Sequence, residues 1–463
     1  MSINIPRIVI AGTRSGSGKT SVALALVSAL KKRGLKVQTF KVGPDFLDPT
    51  YLALASERPC YNLDGWMTGK EYVGKLFARA AGGADIAVIE GVMGLFDGAD
   101  PTTSEGSTAE IAHWLDAPIL LVVNAHGAAR SLAALVKGYV EFDPDLRVAG
   151  ILANHCGSDR HVAWLSDSLR SASLPPIMAG ISHGAFTTLH SRHLGLVTAN
   201  HENLSSNELF RLADALERHA SIESIVRLAR SAGKLSWDRP VSDGKAGMRG
   251  VTIGIASDSA FHFYYPDNLD ELVSQGCKLV RFSPLTEDRL PENLDGLYIG
   301  GGYPEEHAEA LSENQTMIES IRQFAAKGSP VYGECGGLMY LARGIETLNG
   351  KRYSLVGLLP NWTRMAIRLE SLGYVEVTLT RDSLMGLQGT RLRGHEFHYS
   401  RLIGNPVDDA SWHSVYALKR RRSESTSSEG FQHNRTLASY VHLHWASHRE
   451  TVKHFIECCG RRM

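Results

Sequence analysis

The sequence predicts an α/β protein of two doubly wound domains, the first built on a mainly parallel sheet. Short β-branched runs alternate with longer amphipathic stretches, the rhythm of βαβ units. That rhythm breaks at residues 236–249, rich in Gly, Pro, Ser and Asp, and then restarts. Each half also carries a glycine-rich turn after a strand, at the carboxyl edge where such sheets bind ligands. With 463 residues, 43% of them hydrophobic, the chain can bury more than one core, so domains are expected over 1–235 and 250–463, joined by a linker at 236–249.

In the first half, residues 7–11, 37–41, 86–90, 119–123 and 148–153 read as buried parallel strands. In the second, 251–256, 278–282, 296–299 and 330–333 do the same, with helical stretches such as 313–327 between them. Residues 419–436 are basic at their start and lack a hydrophobic period, which predicts a mobile surface loop.

Composition narrows the function. Forty-nine Lys and Arg balance forty-nine Asp and Glu, which removes the electrostatic reason to expect nucleic acid or a membrane surface as partner. No apolar run reaches the ~18–20 residues of a membrane helix, and residues 1–12 lack the pattern of a secretory signal, so a cytoplasmic location is expected. The six cysteines show no CxxC pair, so neither a disulfide framework nor a zinc site is signalled.

After the first strand, Gly12-Thr13-Arg14-Ser15-Gly16-Ser17-Gly18-Lys19-Thr20 leads into an amphipathic helix over 21–30. Glycines let backbone N–H groups wrap phosphates, Lys19 reaches the outer phosphates and Thr20 can ligate Mg²⁺, so the loop predicts a nucleoside triphosphate site. Five residues separate Gly12 from Gly18, so the strict pattern starts on Thr13. Lys41, Asp45 and Asp48 follow the second strand at the same edge, where the aspartates either ligate Mg²⁺ and orient substrate or cap the next helix. Glu90 ends the third strand ahead of the glycine-rich 91–98 and suits a magnesium site, directly or through water.

In the second half, Gly333-Glu334-Cys335-Gly336-Gly337 has small residues around a cysteine at a strand-to-helix junction, the pattern of a nucleophile elbow. The helix N-terminus is expected to lower the pKa of the thiol, which could then attack a carbonyl. His442, expected at the end of a strand over 437–441, is the candidate base, with His444 orienting it. Gly300-Gly301-Gly302 ends another strand and offers N–H groups for an oxyanion, with Gly336 of the elbow as a further donor.

Taken together, the phosphate loop, the 41–49 and 89–98 segments, the 300–305 turn, the Cys335 elbow and the late Ser439-Tyr440-Val441-His442-Leu443-His444 resemble the cobyrinic acid a,c-diamide synthases, from Arg7 to about Ser447. The resemblance implies a dethiobiotin synthetase-like ATP-binding domain followed by a class I glutamine amidotransferase domain of flavodoxin-like fold. It implies ATP-dependent, glutamine-dependent amidation of the c and a carboxylates of cobyrinic acid through acyl phosphates, in cobalamin biosynthesis. Mg²⁺ and ATP would be held by Gly12, Thr13, Gly16, Ser17, Gly18, Lys19 and Thr20, with Glu90 and Asp45 at the metal. Lys41, Asp45 and Asp48 would act at the synthetase centre, and Asn154 lies where related synthetases read adenine. Cys335, His442 and His444 fill the glutaminase positions, His444 standing where other amidotransferases carry glutamate. The expected partners are cobyrinic acid, L-glutamine and ATP, and a homodimer is an open assembly. Hydrogenobyrinate or nickel sirohydrochlorin is an alternative acceptor. A phosphate-loop switch ATPase with an inactive amidotransferase domain is the alternative class, which intact Cys335 and His442 oppose.

Overall fold

Strands buried on both faces require a sheet covered by helices on each side, and the first domain is built that way. The computed structural model describes residues 2–186, 191–192, 195–196, 204–236, 250–421, 423 and 425–460. The expected linker at 236–249 lies, apart from Ser236, outside the described residues. The chain divides into two compact units, Met1–Val241 and Ser242–Met463.

The first unit contains β1 (Arg7–Gly12), β2 (Val37–Val42), β3 (Tyr61–Leu63), β4 (Ile86–Glu90), β5 (Ile119–Asn124), β6 (Val148–Cys156) and β7 (Ile177–Ser182). They form a parallel sheet in the order β3-β2-β4-β1-β5-β6-β7. Alternate residues of β1 serve opposite layers: Val9 and Ala11 join one apolar cluster, Ile8 and Ile10 the other. Strand order reverses at β1, so the crevice beyond its carboxyl end is flanked by β4 and β5. Two helices border that crevice, α1 (Lys19–Lys32) after β1 and α2 (Asp48–Ser56) after β2.

In the second unit, β8 (Thr252–Ala256), β9 (Lys278–Phe282), β10 (Gly296–Ile299) and β11 (Val331–Glu334) are parallel and precede the short helix α3 (Gly336–Leu341). Beyond them the sequence reading found little. The structure adds β12 (Ala342–Glu346), β13 (Arg352–Ser354), β14 (Leu359–Met365), β15 (Ser371–Leu379), β16 (Arg391–His398), β17 (Ser400–Ile403), β18 (His413–Arg420), β19 (Thr426–His433) and β21 (His442–Leu443), and places the strand expected over 437–441 as β20 (Thr436–Ser439). One ten-stranded sheet runs β9-β8-β10-β11-β20-β19-β18-β15-β16-β21, and a four-stranded one runs β13-β12-β14-β17. Only Tyr440 and Val441 separate β20 from β21, a reach of roughly 10 Å, whereas five ladder spacings would put them ~24 Å apart in a flat sheet. The antiparallel half must therefore curl back on itself, bringing β16 against the end of β11.

Two expectations are corrected. Residues 419–436 are not a mobile surface loop: β18 and β19 pair from His413↔Gln432 to Lys419↔Thr426, and Arg420 donates two bonds to Glu396 at 2.8 and 3.1 Å. Positions 422 and 424, at the tip of that hairpin, lie outside the described residues. The strand expected over 437–441 ends at Ser439, because the buried Glu429 carboxylate accepts the Tyr440 N–H at 2.8 Å and the Ser439 hydroxyl accepts the Val441 N–H at 3.0 Å. Those bonds replace ladder bonds and release the chain toward β16. Among the described residues, no helix is long and apolar enough to cross a membrane.

Burial pushes the Glu429 carboxyl up to about 7, so between its unfolded value and that point the folded chain holds the extra proton and stability falls as pH rises. Glu429→Gln should therefore match the native protein near pH 5 and exceed it above pH 7 by up to about 3 kcal/mol. Glu429→Ala, which leaves the Tyr440 N–H unmet, should be less stable than Glu429→Gln by about 2 kcal/mol at either pH. Urea midpoints across that range check both.

Candidate functional site

At the phosphate loop, Gly16 and Gly18 take positive φ of 74° and 98°, the left-handed turn that aims successive N–H groups inward ahead of α1. Lys19 Nζ donates to Met93 O at 2.6 Å and Arg14 O at 3.3 Å, so its ammonium spans the mouth of the loop. Burial, and then the positive charge of Lys41, lower its pKa. Tyr139 holds the loop from outside by donating to Thr13 O at 2.6 Å. Asn154 donates to Ser17 O at 3.1 Å and accepts from the His155 N–H at 3.0 Å, so its amide buttresses the loop.

Thr20, Glu90, Lys41 and Asp48 are drawn into one cluster. The Thr20 hydroxyl donates to Glu90 Oε1 at 2.7 Å. Lys41 Nζ donates to Asp48 Oδ2 at 2.6 Å, Glu90 Oε1 at 2.9 Å and Gly91 O at 3.2 Å, with Asp45 Oδ2 3.8 Å away. Burial works against the Lys41 ammonium, but Asp48 and Glu90 outweigh it and hold its pKa above the usual range. Asp48 stays below the ordinary carboxylate range despite burial, through Lys41. Burial pushes Glu90 up to about 7 against the pull of Lys41, and Asp45 up to about 7 with help from Asp48. Asp45 Oδ1 also accepts the Leu47 and Asp48 N–H groups at 2.8 and 3.1 Å, so it caps α2 while its other oxygen faces Lys41. The sequence reading missed Asn62, which donates to Gly43 O and Asp45 O, both at 2.8 Å, and so fixes the loop that carries both aspartates.

The second centre is the elbow. Cys335 has φ +50° and ψ −102°, a conformation that a non-glycine residue adopts only when its surroundings impose it. They do so here: a Cβ on Gly337 would lie 2.1 Å from Ile299 O, and the Cys335 N–H donates to Ser439 O at 2.7 Å. Cys335 Sγ sits 3.9 Å from Phe397 O on β16. The expected lowering of the thiol pKa does not hold. Burial first, and then the charge of Glu305, raise it well above its ordinary value, outweighing the Gly336 N–H bond. The α3 helix has only six residues and adds little opposing potential.

The 300–302 turn packs against both His442 and the elbow: a Cβ on Gly301 would meet His442 Cε1 at 2.4 Å, and one on Gly336 would meet Gly302 N at 3.0 Å. Of the three expected oxyanion donors, Gly301 already donates its N–H to Phe263 O at 3.3 Å. His442 Nδ1 lies 3.8 Å from Glu334 Oε2. His444 Nε2 lies 3.3 Å from Asp267 Oδ2, and its ring stacks on Tyr265 with centroids 4.7 Å apart. Glu334, Asp267 and His395, which pairs with His442 across the ladder, were not singled out from sequence. Glu334 could have been, since it occupies the variable position inside the elbow motif itself.

Replacing Lys41 by Met would leave Asp48 and Glu90 buried without their cation. The first unit should lose about 3–5 kcal/mol of stability, and adding Glu90→Gln should restore part of it. Denaturant unfolding of the full chain reads the difference; an unchanged midpoint in Lys41→Met contradicts the assigned charge balance.

Residues 8–182 match a family model described as CobQ/CobB/MinD/ParA nucleotide binding domain, and residues 252–450 match one described as CobB/CobQ-like glutamine amidotransferase domain. A protein of Syntrophotalea carbinolica named cobyrinate a,c-diamide synthase is 55% identical over 457 residues, covering 99% of both chains. One of Leptospira interrogans with the same name is 46% identical and covers 100% of both, and one of Picrophilus torridus is 36% identical over 99% of both. With a nucleotide-binding match ahead of an amidotransferase match and likeness to these relatives along the whole length, the chain belongs to the cobyrinate a,c-diamide synthase family.

Proposed function

We propose that this chain amidates the c and a carboxylates of cobyrinic acid with ammonia taken from glutamine, each carboxylate first being activated by ATP as an acyl phosphate. The observation that carries this reading is that one chain holds both a phosphate loop tied to a buried Thr20–Glu90–Lys41–Asp48 cluster and a strained cysteine elbow. A carboxylate is a poor acyl donor because oxide must leave, whereas an acyl phosphate departs readily. That need explains a nucleotide site in an amide-forming protein. An acyl-enzyme cysteine explains the rest.

In this reading Gly12, Thr13, Gly16, Ser17 and Gly18 wrap the phosphates of ATP, Lys19 meets the transferred phosphoryl, and Lys41 lies beside it. Asp45 and Asp48 fix Lys41 and face the acceptor, and Asn154 supports the loop and reads adenine. Magnesium fits Thr20 and Glu90, with Asp45 as a further ligand: Glu90 Oε2 is buried with no hydrogen-bond partner, a position that suits an oxygen ligand. Among the described residues, no group of three or more His, Cys, Asp or Glu side chains is arranged to hold a metal ion. When bound, it neutralises charge on the phosphates. At the elbow, His442 takes the Cys335 proton, the thiolate attacks the glutamine amide, Gly302 and Gly336 receive the oxyanion, and ammonia leaves. Water then releases glutamate from the thioester.

Cys335→Ala should abolish glutamine-dependent product while ammonium salts still support amidation; glutamine turnover retained in that variant overturns the nucleophile assignment. Lys19→Ala should lower the rate with either nitrogen source by on the order of 10²-fold or more. Mass spectrometry with cobyrinic acid, hydrogenobyrinic acid and nickel sirohydrochlorin as acceptors should show two successive decreases of about one mass unit with the first, as OH is exchanged for NH₂. Conversion of another macrocycle in its place refutes the acceptor.

A further inference from the structure

We infer that Glu334, the residue before the nucleophile, positions the base His442 and balances the charge it acquires when it takes the thiol proton. The inference rests on the glutaminase reading of Cys335 and His442 given above.

Glu334 is fully buried at the end of β11, and its two oxygens tie together the strand of the nucleophile and the strand of the base. Oε1 accepts the Leu443 N–H at 3.2 Å and the Tyr332 hydroxyl at 2.6 Å. Oε2 accepts the Tyr298 hydroxyl at 2.9 Å and lies 3.8 Å from His442 Nδ1. Burial, and then the charge of Glu334, raise the pKa of both phenols, so each remains an O–H donor. Three donors converge on this one carboxylate and fix both its oxygens. A fixed anion at the ring nitrogen that does not face the reaction is what a base of this kind requires. The remaining gap to hydrogen-bond length is about 1 Å, of the size that closes when substrate binds.

Three neighbouring titratable groups do not supply this. His395, opposite it on β16, has its pKa pushed down to about 3 by burial and then by His442, so it brings no negative charge. The Cys335 thiol is the proton donor. His444, two residues along the same chain, has its Nε2 beside Asp267. A carboxylate at position 334 thus takes the place that other amidotransferases give to a glutamate two residues after the base.

The test is the pH dependence of glutamine hydrolysis by the full-length enzyme, each rate normalised to ammonium-dependent amidation by the same preparation. Glu334→Gln should lower the glutamine rate by about 10²-fold and move the acidic limb of the profile down by about one pH unit or more, because an imidazolium without its anion loses its proton more easily. Glu334→Asp should return the limb toward its original position. Tyr298→Phe removes a donor from Oε2, strengthens the field of the carboxylate at His442, and should move the limb upward. A merely structural carboxylate predicts no such reversal of sign. An unmoved limb in Glu334→Gln overturns the inference, as does an equal fall with both nitrogen sources; if Glu334→Gln does not fold, an unmoved limb in Tyr298→Phe overturns it. Cys335→Ala, run in parallel, separates the levels: normal Glu334 variants beside a dead Cys335→Ala refute only this inference, whereas an active Cys335→Ala refutes the glutaminase reading.

Discussion

The first unit depends on the neutralisation of one buried ammonium. An isolated Lys41 charge on a strand covered on both faces would be strongly destabilising, and it is tolerated because Asp48, Glu90 and Gly91 O surround it. Those partners come from α2, the end of β4 and the turn that follows, and Glu90 in turn receives the hydroxyl of Thr20 at the start of α1. Charge balance therefore sets the mutual positions of the elements around the crevice. A network assembled to satisfy electrostatics is also pre-organised for handling phosphate, because its donors and acceptors are already desolvated and aligned.

Comparable logic governs the second unit through the backbone rather than through charge. The antiparallel half of its sheet curls so that β16 reaches the elbow and β21 lies along β16. Glycines at 301, 336 and 337 let the neighbouring strands approach to distances that any side chain would forbid. The cysteine is held in an unfavourable backbone conformation by this packing, so the geometry at the thiol is a property of the whole sheet.

Elements with strong local signals were legible from sequence. Most of the parallel strands were, because buried β-branched runs have few other fates, although β3 and β7 were missed; so were the phosphate loop and the elbow, whose spacing carries its own mechanism. The β19 strand was not: Thr426-Ser427-Ser428-Glu429-Gly430 has no apolar alternation, and its place is set by main-chain pairing with β18 and by the buried carboxylate of Glu429. Electrostatics were also hidden. The direction of the Cys335 shift depends on burial by segments distant in sequence, and the engagement of Gly301 by Phe263 depends on a bridge between residues nearly forty positions apart. The contact between Glu334 and His442 spans more than a hundred positions, and no spacing rule links them.

The raised pKa of the Cys335 thiol bears on the timing of the chemistry. A sulfur that stays protonated at rest is a weak nucleophile and a poor target for oxidants, so it is protected while no partner reaction awaits it. In the glutaminase reading proposed above, the thiolate would form only once a bound amide completes the proton path to the imidazole.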